Sequence, residues 1–235
     1  MLDHSVCLFD IDGTLLDTGG AGLAAMRAGL QSEFGVRLQD GRIATAGRTD
    51  RAIVLDMMAC VGLSESDEAL SRFRAAYLKH LKATLQVRRG LVLPGIPQLL
   101  QQLHEHPCVH VGLLTGNFRD GARLKLEHYG LLPYFQFGGF GDRTRDRNEV
   151  AREALREVER HCDGLVPPER IWVIGDTPAD VECGRAIGAR VIAVGTGVVP
   201  NAQVQAAQPD FFFESFADPS KVLQLVIPDS VDEGG

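Results

Sequence analysis

A doubly wound α/β core carrying an inserted helical block is the fold class this chain predicts, and three observations predict it. Short, continuously apolar, β-rich runs recur along the sequence; amphipathic stretches separate several of them; and from residue 17 to residue 92 the strand pattern gives way to helical periodicity alone. Strands that are apolar on both faces need helices on both faces to cover them, which is the condition of a parallel sheet.

The first run, at 6–9, ends in Asp10 and Asp12. Helical patterns follow at 20–34, 50–61 and 65–86, with no convincing strand among them. A crossover between neighbouring parallel strands ordinarily needs one helix. Three helices therefore read as an inserted domain, and the expected division is a core of residues 1–16 and 93–235 with a helical domain of 17–92. Gly90, Pro94, Gly95 and Pro97 punctuate the return to the core. The core pattern then alternates: helix at 96–105, strand at 109–114, helix at 118–128, strand at 135–137, helix at 149–160, strand at 171–174, helix at 178–187, and strands at 191–194 and 211–213. The closing PDSVDEGG is polar and is expected to fray.

Composition narrows the function. A chain of 235 residues, 45% hydrophobic, has room for one large domain or for one domain with a smaller insertion. A net charge of −7 supplies no basic field to draw in a phosphate backbone, so a small-molecule enzyme is expected and nucleic acid is not. Residues 1–20 hold Asp3, Asp10, Asp12 and Asp17 with no Lys or Arg, and their apolar run is short. Neither a secretory signal nor a membrane span is expected, and the cytoplasm is the expected compartment. Cys7, Cys60, Cys108, Cys162 and Cys183 are odd in number and never in a CxxC pair, against a disulfide framework or structural zinc; most are expected to be free and buried.

The stretch SVCLFDIDGTLLDT poses the chemical question. Residues i and i+2 of an extended segment project to one side, so Asp10 and Asp12 emerge together at the carboxyl end of a strand, where open α/β sheets place their ligand crevice. Two carboxylates about 5 Å apart repel by roughly 3 kcal/mol at an effective dielectric of 20. A hard divalent cation with oxygen ligands, Mg²⁺, is the economical neutraliser. Simpler readings exist. The DG pair is a common turn. An EF-hand register puts Leu15 and Ala21 where a glycine and a bidentate acid are required. A dinucleotide fingerprint drawn through Gly20, Gly22 and Ala25 starts well beyond the strand end, and those glycines are expected to serve a flexible junction. Two further strands end in polar groups: VGLLTGN in Thr115, Gly116 and Asn117, and IWVIGDTPADV in Asp176 with Asp180 one turn later. Thr115 or Asp176 alone is readable as a helix cap, but their joint occurrence at parallel strand ends argues against independent caps.

With these residues in place, the chain resembles the haloacid dehalogenase superfamily of phosphotransferases, specifically the phosphoglycolate-phosphatase-like members with a helical cap after the first motif. DIDGT resembles motif one, LLTGN motif two and GDTPADV motif four, across nearly the whole chain. The resemblance implies a three-layer, Rossmann-like α/β core with a mobile cap over 17–92. It also implies Mg²⁺-dependent hydrolysis of a small phosphomonoester metabolite through an aspartyl-phosphate. On that pattern Asp10 is the nucleophile and Asp12 the general acid and then base. Mg²⁺ is held by the Asp10 carboxylate, the Asp12 backbone carbonyl and Asp176, while Asp180 orders the metal waters or the motif-three cation. Thr115 with the backbone of Gly116 and Asn117 takes the transferring oxygens. Motif three departs from the pattern, because none of Lys79, Lys82, Lys125 and Lys221 lies where its lysine belongs. Arg147, in GDRTRDRNEVAREAL, takes that register, with Arg143 in reserve; arginine keeps the charge and binds phosphate bidentately, but it is not equivalent to lysine. TAGRTDRAI resembles the substrate-facing loop of capped members, placing Arg48 towards a carboxylate or hydroxyl of the leaving group and Thr49 or Asp50 at a helix cap.

Other features are expected to be ordinary. His104, His106, Cys108 and His110 in HEHPCVH sit in a helix-to-strand connection away from the crevice and read as solvated side chains, and Trp172 reads as core. Within the same fold a phosphomutase is the alternative enzyme. Dehalogenation offers Asp12 no alcohol to protonate, and phosphonate cleavage needs a cap lysine for which Lys79 and Lys82 are poor candidates. A non-catalytic binding or regulatory protein has no chemical need for Asp10, Asp12, Thr115 and Asp176 together. A monomer or homodimer acting on a small phosphorylated metabolite, with no membrane partner, is the resulting expectation.

Overall fold

In the computed structural model, residues 4–39 and 43–227 are described; the tail expected to fray, 228–235, lies outside them. Among these residues the chain runs β1 (Ser5–Phe9), β2 (Leu16–Asp17), α1 (Ala21–Phe34), α2 (Asp50–Cys60), α3 (Asp67–Val87), β3 (Leu91–Val92), α4 (Ile96–Glu105) and β4 (Val109–Leu114). It continues through α5 (Arg119–His128), β5 (Gly138–Gly139), α6 (Arg147–His161), β6 (Ile171–Gly175), α7 (Pro178–Ala186), β7 (Arg190–Val194), α8 (Asn201–Ala206), β8 (Phe211–Phe213) and α9 (Ser220–Val226).

Six strands form one parallel sheet in the order β5-β4-β1-β6-β7-β8. Every residue of β1 is buried because both faces are covered. Strand alternation divides it: Cys7 and Phe9 join the apolar cluster of α4 and α9, whereas Val6 and Leu8 join that of α6 and α7. The result is a doubly wound, three-layer α/β fold. Trp172 on β6 is buried, as expected, with the Arg190 guanidinium 4.2 Å from its ring centroid.

The edge strand is not the expected aromatic run at 135–137 but the two glycines that follow it. Gly138 pairs with Leu113, and a Cβ there would lie 2.5 Å from the Leu113 carbonyl oxygen. Phe137 instead packs over Gly112, and Phe135 meets Phe9 edge to face. A backbone approach this close excludes side chains, which a reading based on β-propensity would not anticipate.

Helices α1, α2 and α3 bury a cluster of their own, built on Met26, Leu30, Val54, Met57, Phe73 and Tyr77, with Phe118 from the sheet side added. Gly29 lets α1 approach α3, since a Cβ there would come 3.0 Å from the Tyr77 nitrogen. The two chain passages joining these helices to the sheet pair antiparallel, Leu16 with Val92 and Asp17 with Leu91. That ladder corrects the strandless reading of 17–92: two residues per strand are too few to show a period. All five cysteines are free, but only Cys7 and Cys183 are buried and Cys60 is exposed, so fewer are core residues than expected.

Candidate active site

Asp10 continues the sheet ladder by one bond, its N–H donating to the Ile174 carbonyl at 2.9 Å, and its side chain ends buried at the carboxyl edge. Arg147, the first residue of α6, lies 3.2 Å from Asp10 Oδ2 and also pairs with Asp180. Asp176 follows β6 and accepts from Thr14 Oγ1 at 3.1 Å. It fits only because Gly13 and Gly197 lack side chains; a Cβ at either would lie 2.4 or 1.7 Å from Asp176 Oδ2. Gly13 also needs its freedom for a φ of 85°.

Carboxylate oxygens of Asp10, Asp176 and Asp180 all lie within 4.8 Å of one another. Burial pushes Asp10 up to about 6, opposed first by Arg147 and reinforced by Asp180. Burial, then Asp180 and Asp10, raise Asp176 well above the usual carboxylate range. Three buried acids facing one guanidinium form a site short of positive charge, and its oxygen donors and glycine-made space suit a hard divalent cation. Asp180 stands behind the other two. Its Oδ2 accepts from the Thr177 N–H and hydroxyl at 2.9 and 2.7 Å, as the capping box of α7, and its Oδ1 is taken by Arg147.

Asp12 has a different partner. Lys125 of α5 donates to Asp12 Oδ2 at 2.5 Å and to Asn117 Oδ1 at 2.6 Å. Asn117 Nδ2 donates to Asp12 Oδ2 at 2.9 Å and to Thr115 Oγ1 at 2.8 Å. The two acids of the first motif thus lean on separate cations, while Asp12 still adds to the upward push on Asp10.

The loop after β4 meets the helical segment through backbone. Asp50 N–H donates to the Gly116 carbonyl at 2.6 Å, and Asp50 Oδ2 accepts from the Phe118 N–H at 2.8 Å. Burial pushes this carboxyl up to about 6. Thr49, not Asp50, caps α2, accepting from the Ala52 N–H at 3.1 Å while its hydroxyl donates to the Thr144 carbonyl at 2.8 Å. A Cβ on Gly116 would lie 2.2 Å from the Arg48 carbonyl oxygen. The Arg48 guanidinium pairs with Asp56 at 2.6 Å along the cavity wall. Arg143 is exposed, so Arg147 is the arginine brought to Asp10.

Between the sheet edge and the helices lies a cavity of about 320 Å³. Asp10, Asp12, Asp176, Arg147 and Lys125 line one end; Leu23, Met26 and Ile53 line the other. Tyr77 reaches the wall with a buried hydroxyl that has no hydrogen-bond partner. Lys125, Asp50 and Tyr77 escape a motif reading. The available signal is Lys125's position in the apolar stripe Gly121, Ala122, Lys125, Leu126 of α5, where an unpaired charge would be costly.

The HEHPCVH histidines are not simply solvated: His110 hydrogen-bonds His4 at 2.9 Å and packs against His161, at the opposite end of the strands. Among the described residues, the metal-capable group of three or more side chains is the acid cluster alone, and no helix is long and apolar enough to cross a membrane.

Residues 4–188 match the family model of haloacid dehalogenase-like hydrolases. The tyrosine-protein kinase PtkA of Mycobacterium tuberculosis is 28% identical over 81% of this chain, which spans 62% of that relative's length. An N-acetylmuramic acid 6-phosphate phosphatase of Pseudomonas aeruginosa is 30% identical over 82% of each chain. The crystal structure of CbbY from Rhodobacter sphaeroides, 19% identical, superposes with a TM-score of 0.71 over 93% of this chain and 96% of that one.

Proposed function

This chain belongs to the haloacid dehalogenase-like hydrolase family, and from that premise we propose that it is a phosphatase that hydrolyses a small phosphomonoester metabolite through an aspartyl-phosphate on Asp10. The observation that carries the reading is the meeting of Asp10, Asp176 and Arg147 in a cavity at the carboxyl edge of a parallel sheet. The phosphatase name of the 30% identical relative supports it.

Mg²⁺ fits the charge-deficient acid cluster, held by the Asp10 carboxylate, the Asp12 backbone carbonyl and Asp176; when bound it supplies the neutralisation that lets an anionic carboxylate approach a phosphoryl group. Asp10 attacks phosphorus, forming an O–P bond as the bond to the leaving alcohol breaks, and Asp12 gives that oxygen a proton. Water then attacks the same phosphorus, Asp12 takes its proton, and the Asp10 O–P bond breaks to release inorganic phosphate. Arg147, Thr115 and the N–H groups of Gly116 and Asn117 bind the transferring oxygens; Asp180 fixes Arg147. Residues 17–92 act as a cap that excludes water, with Arg48 on the leaving-group side. The enzyme works in the cytoplasm as a monomer or homodimer.

The test is an aryl-phosphate assay with and without Mg²⁺, followed by a panel of phosphorylated metabolites. Phosphate release that Asp10→Asn lowers about 10⁴-fold and EDTA abolishes is expected. Equal rates in Asp10→Asn, or indifference to EDTA, overturn the proposal.

A further inference from the structure

Lys125 is the cavity residue that no motif accounts for. It is 4% exposed, and burying an ammonium is unfavourable unless its donors are satisfied. They are spent on catalytic-loop side chains: Asp12 Oδ2 at 2.5 Å and Asn117 Oδ1 at 2.6 Å. Asn117 closes the circuit by donating to the same Asp12 Oδ2 and to Thr115 Oγ1. Two of the three ammonium donors are thus paired, and four bonds among Lys125, Asn117, Asp12 and Thr115 restrain their rotamers. Gly22, in the first turn of α1, leaves the room beside it, since a Cβ there would lie 3.4 Å from Nζ.

The circuit treats the two oxygens of Asp12 differently. Oδ2 receives both bonds, whereas Oδ1 has no hydrogen bond among the described residues, and the side chain remains 42% exposed at the cavity. We propose that Lys125 is a positioning residue: by pinning Oδ2 it presents Oδ1 of Asp12 to the leaving oxygen and then to the attacking water. This rests on the phosphatase reading above. It also distinguishes Lys125 from a cation whose main task is to bind substrate, because two of its three donors are committed to Asp12 and Asn117.

The experiment compares wild type, Lys125→Met and Lys125→Arg with Mg²⁺ on two probes, β-glycerol phosphate and 4-nitrophenyl phosphate. For Lys125→Met, kcat on β-glycerol phosphate is expected to fall about 100-fold with KM within about threefold. On 4-nitrophenyl phosphate, whose leaving group needs little protonation, the first-turnover burst of nitrophenolate is expected to stay within about tenfold of wild type while steady turnover falls about 100-fold. Lys125→Arg is expected to recover part of the loss, and inhibition by vanadate to be unchanged in all three. If Lys125→Met does not fold, Lys125→Gln replaces it with the same losses expected. Wild-type kcat on both probes, a change confined to KM, or a burst lost as completely as glycerol phosphate turnover overturns the inference. Failure of the phosphatase reading is distinct: wild type itself releases no phosphate, or Asp10→Asn releases as much as wild type, and the inference falls with it.

Discussion

The two acids of the first motif stand one residue apart and live in opposite electrostatic settings. Around Asp10, three buried carboxylates share one guanidinium, and burial outweighs that guanidinium's field at both Asp10 and Asp176. Around Asp12, one half-exposed carboxylate is met directly by its own ammonium and by an amide. A cluster short of positive charge is prepared to take a cation; a pair already matched is prepared to hold a direction. On the proposed mechanism the contrast would give neutralisation to one side of the cavity and aim to the other.

Removing the cation from each side should break the comparison most sharply. Arg147→Met leaves Asp10 and Asp180 buried without their cation and is expected to cost about 3–5 kcal/mol in urea unfolding with EDTA present. Lys125→Met leaves an acid that water can reach and is expected to cost about 1–2 kcal/mol. Equal costs would erase the distinction. Next in size, Mg²⁺ at 100 times its Kd is expected to stabilise the protein by about 2.7 kcal/mol. A calorimetric scan should show that gain in wild type and not in Asp176→Asn.

Asp50 sharpens the contrast on the Lys125 side. Burial raises its carboxyl from 3.8 to about 6, with Lys125 the largest opposing influence. The folded protein therefore binds this proton more tightly than the unfolded chain. The group's contribution is fully favourable below about pH 4 and is lost as pH rises through about 6. Asp50→Asn should accordingly gain on wild type by about 3 kcal/mol across that interval and hold a constant difference above it. A difference independent of pH would mean that Asp50 ionises as freely as an exposed acid. The smallest effect belongs to Tyr77→Phe, which removes a buried hydroxyl without a partner and should raise stability by about 1 kcal/mol; a loss in the absence of any ligand would mean the hydroxyl is already bonded.

Legibility in the sequence followed the reach of each interaction. Strands β1, β4, β6 and β7 are legible because near-continuous burial leaves a nearly continuous apolar run, and the half-buried β8 because it is three phenylalanines. The edge pair Gly138–Gly139 was not, since it depends on the absence of side chains against β4. Asp10 and Asp176 are legible because they lie at the ends of apolar strands, whereas Arg147 is singled out by the register of the family's third motif. Lys125 reaches Asp12 across 113 positions and Asp50 reaches Phe118 across 68. Nothing local encodes such a meeting, although a lysine within the apolar stripe of α5 marks a charge that must find a partner.

Peptide groups take part in seating the helical segment on the sheet: the Gly116 carbonyl, the Phe118 amide and the Thr144 carbonyl bond Asp50 and Thr49, beside side-chain ion pairs such as Arg74–Asp142 and Arg145–Glu65. The same segment lines the cavity with the side chains of Leu23, Met26 and Ile53, which on the proposed reading would meet the leaving group. Met26 and Ile53 also belong to the buried cluster of α1, α2 and α3. Redrawing that wall to suit another alcohol would therefore also repack the helices that carry it.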